Sequence, residues 1–207
     1  MFRLKHFLEQ SWLLIVSSFL FGLLIAVTNA ALSPRIEQNR INKLNDRARA
    51  LLPGVERFMP VEAEIVIKSG GRAERIDVYK AESKPGECVG WTFSASGPGF
   101  IDKIELVVAV DGNFEKLAGF DVLASSETAR VGDQIKEPFF REQFVGAPVG
   151  DLIAVRSGDT SAKDEKIVTI SGATITSEAV VEIISSSAKQ IKKELQKKGL
   201  IGDGENR

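Results

Sequence analysis

Histidine and cysteine are almost missing from this sequence: among 207 residues there is one of each. A lone thiol, Cys88, closes no intramolecular disulfide, completes no iron–sulfur ligand set and stands in no Cys-x-x-Cys-His haem-attachment string. His6 lies at the extreme N-terminus, out of reach of a folded site, which removes histidine-dependent triads, most zinc sites and imidazole acid–base chemistry. Excess charge of either sign is missing too. With 27 basic and 28 acidic residues the formal net charge is −1, so no global field exists to hold a polyanion, and nucleic acid is not an expected partner. Internal repeats are absent, and the one biased stretch is the polar tail from Gly202. Any redox chemistry has to come from a cofactor that needs none of these groups.

What is present begins with a membrane signal. Ser11 to Leu32 reads SWLLIVSSFLFGLLIAVTNAAL, which carries no charge and exceeds the roughly 20 residues needed to cross a hydrocarbon core. Arg3 and Lys5 precede it, and Trp12 at its start suits an interfacial anchor. The small residues Asn29-Ala30-Ala31 leave a cleaved signal peptide as the alternative, but the apolar run is longer than such a peptide uses. Orientation has two readings. Arg35, Arg40, Lys43, Arg47 and Arg49 after the span argue for a domain inside, whereas a short basic leader before an apolar run argues for export.

Helical spacing of Ile36, Leu44, Ala48 and Leu51 predicts an amphipathic connector helix after Ser33-Pro34, stopped at Pro53-Gly54. Alternating or β-branched runs at Ala63–Lys68, Ile76–Lys80, Cys88–Phe93, Ile104–Val110 and Leu117–Leu123 predict an antiparallel sheet, with turns at Ser69-Gly70-Gly71 and Asp111-Gly112-Asn113. A short helix is expected over Lys136–Val145, and short strands over Asp151–Val155 and Lys166–Ile170. The glycine-rich Ser94–Phe100 reads as a turn. Val180, Ile184, Ala188, Ile191 and Leu195 place one apolar stripe on a long C-terminal helix that Gly199 ends. Its lysines, Lys189, Lys192, Lys193, Lys197 and Lys198, complement the C-terminal dipole as a solvated face. The fold class is thus α+β, organised as an N-terminal stretch 1–10, an anchor 11–32, a connector helix 33–54, a domain 55–199 and a tail 200–207.

The most informative stretch is Ser171-Gly172-Ala173-Thr174-Ile175-Thr176-Ser177, between a short strand and the long helix. Two readings share its geometry. Ser and Thr cap helices, Gly permits a turn and Glu178 suits the dipole. A helix N-terminus also offers unpaired N–H groups to a phosphate, which Gly172 and Ala173 allow to approach.

SGAT followed by ITSEAVV resembles the covalent-FMN motif of the FMN-binding domain in the G subunits of Rnf-type electron transport complexes; the C subunit of sodium-pumping NADH:quinone reductase is similar. The resemblance extends over the anchor, the connector, the sheet, Gly99-Phe100 and a Glu-Thr loop. It implies that Thr174 carries FMN as a phosphoester, placed there from FAD by a flavin transferase. By the same resemblance, Ser171, Gly172, Ala173 and Thr176 surround the cofactor, and Glu127 and Thr128 touch its ring or ribityl chain; the other reading of Glu127 and Thr128 is that they only shape a loop. Two departures stand out. The family has an aspartate three residues before Ser171, where this chain has Val168, with Asp164 and Glu165 just upstream. The family loop Glu-Thr-Pro-Gly-Leu-Gly is here Glu127-Thr128-Ala129-Arg130-Val131-Gly132.

The expectation is therefore an electron-carrying flavoprotein subunit of an ion-translocating ferredoxin:NAD oxidoreductase. It would be single-pass in the cytoplasmic (inner) membrane, its domain on the extracytoplasmic side, with other membrane subunits, the transferase and the lipid bilayer as partners. Its chemistry would be the flavin's own, with no catalytic side chain and no metal. The C subunit of a quinone reductase or a stand-alone FMN carrier is the alternative. An anchored assembly module, with Thr174 only a helix cap, is a third.

Overall fold

The computed structural model describes residues 2–61, 65–69 and 72–202. Two compact units make up the chain, residues 1–43 and 44–207. Helix α1, Phe2–Leu51, is the element of the first unit and extends into the second. It continues through Ser33-Pro34, where the sequence suggests a break between anchor and connector. Between Trp12 and Val27 its large apolar side chains are exposed, Phe19 by 71% and Phe21 by 66%. Among the described residues it is the one helix long and apolar enough to cross a membrane.

In the second unit, a five-stranded antiparallel sheet runs in the order β1-β4-β5-β6-β7. Its strands are β1 (Arg57–Pro60), β4 (Val78–Lys84), β5 (Glu87–Pro98), β6 (Lys103–Asp111) and β7 (Leu117–Ala124). A separate antiparallel hairpin pairs β2 (Ile65–Ser69) with β3 (Arg72–Ile76). The strand expected at Ile76–Lys80 is divided at Asp77: Ile76 ends β3 and Val78 opens β4. Ala63, Glu64, Gly70 and Gly71 from the expected strand and turn, and the tail from 203 on, lie outside the described residues. Ser94–Pro98, whose small residues suggest a turn, continues β5 against Lys103–Val107. Gly97 is needed there because a Cβ would meet the Ile183 side chain of the covering helix.

Alternation along β6 shows why the sheet needs two covers. Leu106, Val108 and Val110 enter the main core with Trp91, Phe93 and Ala95 of β5, whereas Val107 and Ala109 belong to smaller clusters. The main core is closed by α3 (Thr174–Lys197) through the expected stripe Val180, Ile184, Ala188, Ile191 and Leu195, all buried. The helix ends as expected before Gly199. Leu44 and Ala48 of α1 pack with Tyr79 and Val107, and the following Leu52 with Ala81 and Ala109. The C-terminal part of the connector segment is thus a layer of the folded unit.

The helix expected over Lys136–Val145 is shorter and split into a 3₁₀ turn at Gly132–Lys136, α2 (Pro138–Arg141) and a second 3₁₀ turn at Glu142–Phe144. Glu137, preceding Pro138, is extended (φ −74°, ψ 146°), because a residue before proline is disfavoured in the helical region. Phe140 and Phe144 pack edge-on against Phe120, with ring centroids 6.3 and 4.8 Å away. Strands β8 (Ile153–Val155) and β9 (Lys166–Val168) pair in parallel and lead into the Ser171–Ser177 stretch.

Candidate functional site

Buried Gln143 fixes the approach to that stretch. Its Oε1 accepts the Val168 N–H at 2.8 Å and its Nε2 donates to the Val168 carbonyl at 3.2 Å, the two bonds a neighbouring strand would make. Both involve the backbone, so the Val168 side chain, half-buried, is free of this pairing. The chain then reverses at Gly172, whose φ of 83° lies in the left-handed region where side chains are disfavoured. Ser177 staples the turn: its hydroxyl oxygen accepts the Ile170 N–H at 3.0 Å and its O–H donates to the Ala173 carbonyl at 2.9 Å.

Helix α3 therefore begins at Thr174 with Ala173 at the N-cap and no side-chain cap. Neither Ser171 nor Thr174 plays the capping role that one reading of the sequence gives them. By helix geometry the N–H groups of Thr174, Ile175 and Thr176 have no intrahelical acceptor, and with the helix dipole they favour an anion at this end.

Above this end lies a cleft of about 280 Å³. One wall is Gly172 to Thr176; the other is Thr128, Val131 and Gly132 of the loop after β7; Phe100 of the β5–β6 loop completes it. Thr174 is half-buried and lines it, so the residue stands at the surface of a cleft and not within the core. Phe100 and Ile175 are exposed by 60% and 57%, an unusual state for such side chains on either side of a helix N-terminus. The cleft fits an FMN by chemistry: uncapped N–H groups and a small-residue turn suit the phosphate, and the apolar rim suits an aromatic ring system.

Of the site residues expected from the sequence, Gly172, Ala173, Thr174, Thr176 and Thr128 line the cleft together. Ser171 is exposed beside it. Glu127 is 8% exposed and sits behind the wall: its Oε1 accepts the Ile101 N–H at 3.0 Å and its Oε2 the Thr176 hydroxyl at 2.7 Å. Val131, Gly132 and Ile175 also line the cleft, although sequence reasoning does not single them out. The two apolar residues look like core by default, and Gly132 looks like the end of a loop. Arg130 has φ 62°, a left-handed conformation, at the loop position where the related motif has glycine.

Residues 99–189 match the FMN-binding domain family. The chain is 28% identical over 178 residues to the G subunit of the ion-translocating oxidoreductase complex of Methanosarcina acetivorans, covering 86% of this chain and 90% of that one. It is 27% identical to the G subunit of the proton-translocating ferredoxin:NAD(+) oxidoreductase complex of Clostridium ljungdahlii, over 86% and 88% of the two chains. Among solved structures, the fold resembles the C subunit of the Na(+)-translocating NADH-quinone reductase of Parabacteroides distasonis (TM-score 0.53, 19% identity, 76% of this chain and 95% of that one). It also resembles Shewanella oneidensis NqrC (TM-score 0.52, 21% identity, 72% and 74%). Both walls of the cleft fall within residues 99–189, the stretch that is similar to the FMN-binding domain family.

Proposed function

We propose that this protein is the electron carrier of the G-subunit type in a membrane-bound, ion-translocating ferredoxin:NAD oxidoreductase complex, holding FMN covalently on Thr174. The observation that carries the reading is the placement of Thr174: the first residue of α3, half-buried, in a cleft that also presents uncapped helix N–H groups. When bound, FMN supplies the electron transfer through its isoalloxazine ring. The protein's residues hold and orient it. The first-turn N–H groups and Gly172 would hold the phosphate, and Phe100, Val131 and Ile175, which line or rim the same cleft, would offer the ring an apolar surface.

During attachment by a flavin transferase, the Thr174 Oγ1–phosphorus bond forms as the pyrophosphate bond of FAD breaks. AMP leaves, and the hydroxyl proton passes to solvent. The exposed apolar stretch of α1 anchors the protein in the bilayer, which raises the effective concentration of the cofactor beside partner membrane proteins of the complex. A covalent tether suits a domain outside the cytoplasm, where a lost FMN has no replacement. Protease added to intact spheroplasts should then digest the domain; protection equal to that of a cytoplasmic control would place it inside.

The test of attachment is the mass of the intact, denatured chain made with a flavin transferase. The wild type should gain one esterified FMN, and Thr174→Val, which keeps the shape and removes the nucleophile, should gain none. Labelled Thr174→Val would move the site elsewhere. Likeness of fold to the C subunit of quinone reductase supports a second reading within the same cofactor class. Purification of the native complex and identification of the proteins beside this one separates the two.

A further inference from the structure

Four chain segments meet at one buried carboxylate. Glu127 follows β7, Ile101 lies between β5 and β6, Gly132 opens the 3₁₀ turn, and Thr176 is in the first turn of α3. Both oxygens of Glu127 are engaged, one by the Ile101 N–H and the other by the Thr176 hydroxyl, itself 3% exposed. The packing around it leaves no slack. A Cβ at Gly132 would stand 2.9 Å from Glu127 Oε2 and 3.2 Å from Thr176 Oγ1, and one at Gly99 would collide with Glu127 Oε1.

The segments joined there are the ones that line the cleft. Phe100 is next to Ile101, Thr128 next to Glu127, Val131 next to Gly132, and Thr174 two residues from Thr176. We infer that Glu127 and Thr176 are positioning residues: their hydrogen bond clasps the Phe100 and Thr128 loops to the first turn of α3 and so fixes how the Thr174 hydroxyl is presented for flavin attachment. This rests on the proposed role of Thr174, and it gives Glu127 and Thr176 a task other than touching the cofactor. A carboxylate suits the task because it is acceptor-only and takes two donors at once from different segments. Buried without one of them, it loses a charge-assisted hydrogen bond, and its low-dielectric surroundings magnify the loss.

The full-length chain in detergent micelles provides the test, with two measurements on each variant. Amide hydrogen exchange at Ile101 reads the clasp without any flavin; the rate of flavin attachment at varied chain concentration reads its consequence. Thr176→Ser and Thr176→Ala differ by the hydroxyl alone. The alanine variant should exchange the Ile101 amide on the order of tenfold faster. Its maximal attachment rate should fall tenfold to about a hundredfold, the scale expected when a reacting group is misplaced by about 1 Å. Its half-saturating chain concentration should stay within about threefold, because Ser171-Gly172-Ala173-Thr174 is unchanged. Thr176→Ser should recover both values. Glu127→Gln should recover the exchange as well: its Oε1 accepts from Ile101, and its Nε2 donates to a Thr176 hydroxyl that turns to accept.

Equal behaviour of Thr176→Ser and Thr176→Ala, in either direction, overturns the clasp, since the hydroxyl would then be irrelevant. If Thr176→Ala does not fold, Glu127→Gln decides: Ile101 exchange as fast as in Glu127→Ala overturns it, and exchange as in the wild type supports it. A wild type that takes no flavin would overturn the role of Thr174, while the exchange measurement would still decide the clasp.

Discussion

Arg47 of α1 donates from Nη1 to Asp121 Oδ2 of β7 across 2.7 Å, joining helix and sheet over 74 positions of sequence. The aspartate side chain is 8% exposed, and its other oxygen faces Arg141 Nη1 at 3.4 Å and accepts the Val122 N–H at 2.8 Å. The two partners are not equivalent. Arg47→Ala removes one partner and leaves Arg141 and the Val122 N–H on the buried carboxylate, whereas Asp121→Ala removes all three interactions at once. Arg47→Ala should therefore cost about 1 kcal/mol and Asp121→Ala about 2–3 kcal/mol in urea unfolding. Equal costs would show that Arg141 and Val122 contribute nothing to holding the carboxylate.

Ile184 lies in the middle of the buried stripe of α3 and is 1% exposed. Ile184→Asp places a charge without a partner in the main core and should cost about 3–5 kcal/mol, leaving little folded protein at 37 °C. Glu182→Ala, on the exposed side of the same helix, should stay within about 0.5 kcal/mol. Comparable melting temperatures for the two variants would assign the wrong face to the sheet.

The left-handed Arg130 offers a stabilising change. At φ 62° a Cβ crowds the following carbonyl, and glycine does not, so Arg130→Gly should stabilise the protein by about 0.5–1 kcal/mol despite the looser unfolded chain. Arg130→Val should destabilise it, because a β-branched side chain tolerates that conformation least. A loss of stability in Arg130→Gly would mean that the guanidinium makes an interaction worth more than the strain.

Burial pushes the Cys88 thiol above its ordinary pKa, against the opposing pull of the nearby Lys80 ammonium and of a backbone hydrogen bond with Gly90. The thiolate is the reactive form, so at neutral pH alkylation by iodoacetamide should be slower than for an unstructured peptide thiol. The rate should climb only above the usual thiol range. Lys80→Met removes a charge that favours the thiolate, so the inflection of the pH–rate profile should move further up. An inflection at or below the ordinary thiol value would contradict the burial.

Much of this architecture is legible in the sequence because it follows from periodicity. The stripe from Val180 to Leu195 and the strands around Val107 each repeat a pattern over two or more turns or pleats, and the span from Ser11 is legible as an unbroken uncharged run. The errors come where small residues carry two meanings. Ser94-Ala95-Ser96-Gly97-Pro98 has the composition of a turn, but it is strand, because Gly97 makes room for Ile183 of the helix above. The division at Asp77 and the break before Pro138 depend on pairing partners and on one dihedral angle, which short windows do not reveal. Within the site, Thr174 stands out through its motif. The engagement of Glu127 by Ile101 and Thr176 does not, because those partners are 26 and 49 positions away.

The layer that α1 contributes has a consequence for how the protein is matured. The compact unit begins at Leu44, and Leu44, Ala48 and Leu52 supply the apolar cover for Tyr79, Val107, Ala81 and Ala109. A processing event near Asn29 to Ala31 would remove the apolar span and leave this cover whole, releasing the compact unit with its sheet still sandwiched. A cut after Leu52 would bare one side of the sheet and turn the same polypeptide into a target for aggregation and proteolytic clearance. The division between a unit released whole and one stripped of its cover therefore falls along α1.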